Sequence, residues 1–135
     1  MNVAGFAEPP RTDPRDGFKL FPVYSWCWTE VEVVGESKFM DALPGLFHKY
    51  YVEADVLGPW AVLRHEPTRR NMVYSVSVWI DGLPVGFVGA EHIGLFGPTV
   101  MGLEARGIRL VTPATIGFSD PRFIGVRLIA PVGVD

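Results

Sequence analysis

Strict alternation of apolar and polar residues is the clearest pattern in this chain. In residues 30–34, Glu30 and Glu32 alternate with Val31 and Val33, the period of a strand with one wet face. Residues 60–66 and 73–80 read as two further strands, the second placing Val76, Val78 and Ile80 on one face and Ser75, Ser77 and Trp79 on the other. Asp81-Gly82 then predicts a two-residue hairpin turn into residues 83–88, because Gly accepts positive φ at no steric cost. Two more alternating runs, residues 108–116 and 122–130, close the series, the last with Ile124, Val126 and Leu128 inward.

Two stretches carry helical spacing instead. Ser37 is a good N-cap for a short helix bearing Phe39, Leu43, Leu46 and Phe47, which Pro44 and Gly45 are expected to kink or stop. In residues 90–106 an apolar stripe runs through Ile93, Phe96, Val100 and Leu103, with Gly107 as the C-terminal cap. Gly94, Gly97, Pro98 and Gly102 weaken that stripe and predict two helical pieces, with Pro98 in the first turn of the second.

Before the first strand the chain holds Pro9, Pro10, Pro14 and Pro22 and little periodicity, so residues 1–29 read as an extended arm leading to a domain at residues 30–135. That arm also carries Phe18, Phe21, Tyr24, Trp26 and Trp28, the last three at a spacing of two. Such aromatics either cover the flank of the domain or form an exposed patch for a protein partner or for self-assembly.

Composition narrows the class. Fifteen glycines and 12 prolines in 135 residues are too much punctuation for a helical bundle, and 48% hydrophobic against 20% charged residues excludes a disordered chain. The expected fold is mainly β (α+β): a small six- to seven-stranded barrel that removes exposed strand edges, with two short helices across its openings. A formal charge of −3 provides no molecule-wide positive field for phosphate backbones, so a nucleic-acid site must be a local patch. A lone cysteine, Cys27, rules out an internal disulfide framework. No basic leader with an apolar core is visible, and no apolar run reaches the roughly 18–20 residues a membrane span needs. The expected location is cytoplasmic, or virion-associated if the chain is phage-encoded.

The motifs stand in a telling order: VEVVGESKFMDAL from Val31, VLRHEP from Val62, VSVWIDGLPVGFV from Val76, LEARG from Leu103 and FIGVRLIAP from Phe123. Together they resemble the HIRAN domain, over about three quarters of the chain. The resemblance implies an OB/SH3-like six-stranded β-barrel with two helices and a non-enzymatic recognition role, binding single-stranded DNA or DNA ends through aromatic stacking and basic residues. Where that family has Asn-Pro-Tyr-Asp after Glu-Pro, this chain has Thr68, Arg69, Arg70, Asn71 and Met72. The residues able to form a substitute nucleic-acid site are Lys38, Phe39, Arg64, Arg69, Arg70, Asn71 and Tyr74, since Arg pairs bidentately with phosphate and aromatic rings stack on bases. The loop holding Arg69 and Arg70 is open to three readings: a solvated loop, a nucleic-acid contact or a protein contact.

Nothing in the chain reads as catalysis. His48, His65 and His92 fall in separate elements at unrelated spacings, Cys27 lies between two tryptophans without a basic neighbour, and the Gly-rich stretches match no phosphate loop. No cofactor or metal is expected. The two function classes left are a HIRAN-like module for single-stranded DNA and a protein-interaction or assembly module, such as a phage or actinobacterial accessory protein binding a host or virion partner.

Overall fold

The computed structural model describes residues 10–13, 15–22, 28–34, 41–53, 58–66, 75–89, 93–120 and 123–131. Among these residues seven strands and two short α-helices follow in the order β1 (Lys19–Pro22), β2 (Trp28–Val34), α1 (Leu43–Phe47), β3 (Trp60–His65), β4 (Val76–Ile80), β5 (Leu83–Val88), α2 (Ile93–Glu104), β6 (Ile108–Asp120) and β7 (Phe123–Pro131). The mainly β fold expected from the alternation is the fold the chain adopts.

Six strands pair in a circuit, β6–β3–β4–β5–β2–β7 and back to β6, and β1 adds outside on β6. All the ladders are antiparallel except β1–β6, which is parallel from Lys19↔Ile108 to Pro22↔Val111. Among the described residues the seam between β2 and β5 holds Val33↔Val88 and Val34↔Phe87. The sheet curls round on itself into a partly open barrel.

Strand β6 makes this curl possible by changing partners along its length. It faces β3 as far as Trp60↔Pro113, then β7 from Ala114↔Leu128 onward. At the changeover the Ala114 N–H donates to the Pro59 carbonyl at 2.9 Å, which keeps the β3 side occupied and places β7 on the side that β1 begins. Gly58 lies so close here that a Cβ would stand 1.9 Å from the Ala114 carbonyl oxygen. Only a residue without a side chain fits.

Alternation then sorts the two faces. Val31, Val33, Leu63, Val76, Val78, Ile80, Val85, Leu110, Val126 and Leu128 close the interior, and Leu43, Leu46 and Val100 from the helices cap it. A second, smaller cluster of Leu20, Trp60, Val62 and Val111, with Trp79 against it, lies on the outer face. The expected division of β4 is thus found: its valines and isoleucine face inward and Trp79 outward.

The hairpin at Asp81-Gly82 forms as expected, joining Ile80↔Leu83 with φ of 53° at Asp81 and 77° at Gly82. Residue 85 is an extra one: Val78 pairs with Gly86 and Trp79 with Pro84, a bulge that Gly86 accommodates at a φ of 154°.

Both helices differ from expectation. Pro44 and Gly45 do not stop α1; they lie in its first turns, where a proline's missing N–H has no intrahelical partner to lose, and the chain continues through a π-helical segment, His48–Glu53. The proposed cap, Ser37, lies outside the described residues. Residues Ile93–Glu104 form one helix and not two, with Pro98 inside it. Pro98 is exposed, so its ring projects away from the packing face made by Ile93, Val100 and Leu103. Gly107, at φ 75°, follows the last turn as expected of a terminator.

Candidate recognition surface on the outer face of the sheet

The arm before β1 folds back on itself in a tight turn. Asp13 accepts the Arg15 N–H on Oδ1 at 3.0 Å and the Gly17 N–H on its carbonyl at 2.8 Å, and Gly17 takes a φ of 77°. The return limb pairs with the outgoing one: Asp13 N–H donates to Phe18 O at 2.8 Å and Leu20 N–H to Arg11 O at 3.0 Å. Covering β1 in this way blunts an edge that would otherwise template another strand.

That turn presents two carboxylates to a buried arginine. Arg109, on β6, has a side chain only 5% exposed. Its Nη1 donates to Asp13 Oδ2 at 2.9 Å and to Asp16 Oδ2 at 2.6 Å, while Nε donates to Glu104 Oε1, at the end of α2, at 2.8 Å. Glu104 also accepts the His65 N–H at 3.3 Å, tying β3 to the same group. Phe18 lies beneath the guanidinium, 4.2 Å from its ring centroid. Burial opposes the charged form of Asp16, but the hydrogen bond from Arg109, the Phe18 backbone N–H and the Arg109 charge outweigh it, with a further contribution from Arg64, and its carboxyl is held below the usual range.

Beside this network lies Trp79. The Arg15 guanidinium is 3.7 Å from its ring centroid and Arg64 is 6.0 Å away. The indole is anchored at its other end: Nε1–H donates to Ser77 Oγ at 2.8 Å, and the Ser77 hydroxyl donates to Glu66 Oε1 at 2.6 Å. Glu66 also stands 3.9 Å from Arg64 Nε. The result is a planar ring held at a defined tilt, flanked by two guanidiniums, an arrangement that can stack on a flat partner.

Of the residues singled out for nucleic acid, Arg64 lies on this surface. Arg69, Arg70, Asn71 and Tyr74 fall in residues 67–74, and Lys38 and Phe39 in residues 35–40, all outside the described residues. The described residues on either side of 67–74 are paired: His65↔Val76, with Glu66 N–H donating to Ser75 O at 2.8 Å, next to Arg64 and Ser77. Of the aromatic arm residues, Phe18 is half-buried under Arg109 and Phe21 is 55% exposed. Trp28 opens β2 opposite Pro131, while Tyr24 and Trp26 lie outside the described residues.

Sequence reasoning missed Trp79, Arg15 and the whole Arg109 network. One signal was available: Arg109 is a charged residue between Ile108 and Leu110, at an outward position of its strand. Its three carboxylates come from the arm and from α2, and no spacing announces them.

A second polar group lies at the β4–β5 turn. Tyr50 directs its hydroxyl at both Asp81 carboxylate oxygens, 2.8 Å away, and Lys49 Nζ reaches Oδ2 at 2.7 Å. Burial together with the Asp81 hydrogen bond pushes the Tyr50 phenol up to about 12, and the same carboxylate raises Lys49. This clasp secures the π-helical segment to the hairpin. Among the described residues no group of three or more His, Cys, Asp or Glu is placed to hold a metal ion, and no helix is long and apolar enough to cross a membrane.

Comparison with family models, with curated proteins and with solved structures found no match for this chain.

Proposed function

We propose that this chain is a non-enzymatic, HIRAN-like recognition module for single-stranded DNA, acting in the cytoplasm or, if phage-encoded, with the virion. The observation that carries the reading is the Trp79 ring, held edge-on by Ser77 and flanked by Arg15 and Arg64 beside the paired residues on either side of 67–74, the stretch that bears Arg69, Arg70 and Tyr74. An indole stacks on any base, and Arg64 beside it pairs with a phosphate.

Fluorescence anisotropy with labelled oligonucleotides, free or blocked at the 3′ end, tests it across a salt series. Binding is expected at low salt and falls as salt rises; Trp79→Ala weakens it by about 5- to 150-fold, the range for losing one stacked base. Absence of binding at low salt for both oligonucleotides ends this reading.

A second reading, a protein-interaction module, rests on Phe21. This phenylalanine is 55% exposed on β1, the strand within the arm, on a molecule of net negative charge. A partner held there is lost on Phe21→Ser, whereas Trp79→Ala leaves it bound.

A further inference from the structure

We infer that the N-terminal arm is an intramolecular competitor for the Trp79 ring: Arg15 occupies the stacking face, and a flat ligand gains that face only by displacing the arm. This rests on the single-strand reading above and adds its regulation.

The geometry is that of a strap with a latch. Arg15 lies at the tip of the turn, 3.7 Å from the indole centroid, and is itself exposed. Its position is set by the residues on either side, because Asp13 and Asp16 are both bonded to Arg109. Leu20 completes the strap by packing with Trp60, Val62 and Val111 on the outer face. The attachments are unequal. Asp13 is nearly buried, at 7% side-chain exposure, whereas the Asp16 carboxylate is 31% exposed and open to competition from water. Arg15 meets the ring with its guanidinium carbon 3.7 Å from the centroid, the distance at which a base would also stack. The tip of the strap is therefore the part that yields first, with β1 and Asp13 as its hinge side.

Displacing the turn takes one cation, Arg15, and one anion, Asp16, away together and uncovers Trp79 with Arg64 beside it, which leaves a ring to stack on a base and a guanidinium to pair with a phosphate.

Two measurements on the full chain test this. The first is covalent labelling of tryptophan with 2-hydroxy-5-nitrobenzyl bromide, mapped by mass spectrometry, on wild type, Arg15→Ala and Asp16→Asn. Trp79 is expected to label faster in both variants, while buried Trp60 stays unreactive as an internal control for folding. The second is anisotropy with an oligo-dT probe on the same proteins. Affinity is expected to rise by about two- to fivefold in each variant, the equivalent of one exposed cation–π contact removed from the free state. Unchanged labelling overturns the strap whatever DNA does. Faster labelling with equal DNA affinity in all three proteins overturns the competition and leaves the single-strand reading standing. Faster labelling with no DNA binding by any of them overturns both.

Discussion

Arg109 and Asp13, 96 residues apart, meet through a 2.9 Å hydrogen bond between side chains that are 5% and 7% exposed. This pair welds the N-terminal arm to the middle of the sheet. A buried ion pair of this kind gives little net stability against an apolar alternative, but removing one partner strands a charge without water.

Arg109→Met is therefore expected to destabilise the protein by about 3–5 kcal/mol, because Asp13 is left buried and uncompensated. Urea denaturation is the check, read as a fall in midpoint at constant slope. Asp16→Asn, at a carboxylate 31% exposed, shifts the midpoint much less. Equal losses for the two variants would contradict the assignment of Asp13 as the buried anchor.

Acid acts on the same network in a set direction. The Asp16 carboxyl is held below its usual value, burial opposing this and Arg109 and Arg64 prevailing, with Glu104 and Asp13 as the other charges around the guanidinium. A depressed folded-state value contributes stability that is present above the unfolded carboxylate's pKa, about 3.9, and lost as pH falls through the lower folded value. The difference in urea midpoint between wild type and Asp16→Asn is expected to stay constant from pH 7 to about 5 and to shrink below about 4.

At the alkaline end Tyr50 reports on the β4–β5 clasp. Its phenol is raised to about 12 by burial and by the bond to Asp81. A raised folded value means the contribution is complete below the unfolded tyrosine's pKa of about 10 and is lost as pH climbs through the folded one. Absorbance titration of the phenolate should show a late component that Tyr50→Phe removes and Asp81→Asn moves to lower pH.

Glycine substitutions separate close approach from free space. Gly58→Ala drives a methyl into the Ala114 carbonyl, 1.9 Å away, and because both sides are backbone it should cost at least about 2–3 kcal/mol. Gly45→Ala in α1 meets nothing within 4 Å and should stabilise by about 0.5–1 kcal/mol through helix propensity. Thermal melts of the two variants are expected to move in opposite directions.

Period-two patterning was readable wherever one face is buried and the other wet, as in β4, because burial of Val76, Val78 and Ile80 forces Trp79 outward. The Asp81-Gly82 turn was equally plain, since few residue pairs accept positive φ twice. Pro44 and Pro98 misled for a single reason. A proline's cost depends on whether its position lies in a first turn and whether its ring meets solvent, and both are settled by packing.

The residues alone determined a mainly β body with two short helices and the inward and outward sides of its strands. These follow from local sterics and from the need to bury alternate side chains. Tertiary structure alone decided that the arm returns to pair with β6, that Arg109 collects carboxylates from the arm and from the end of α2, and that Arg15 lies over Trp79. Contacts between residues nearly a hundred positions apart depend on how the sheet curls, and charge and size at single positions carry no record of that curvature.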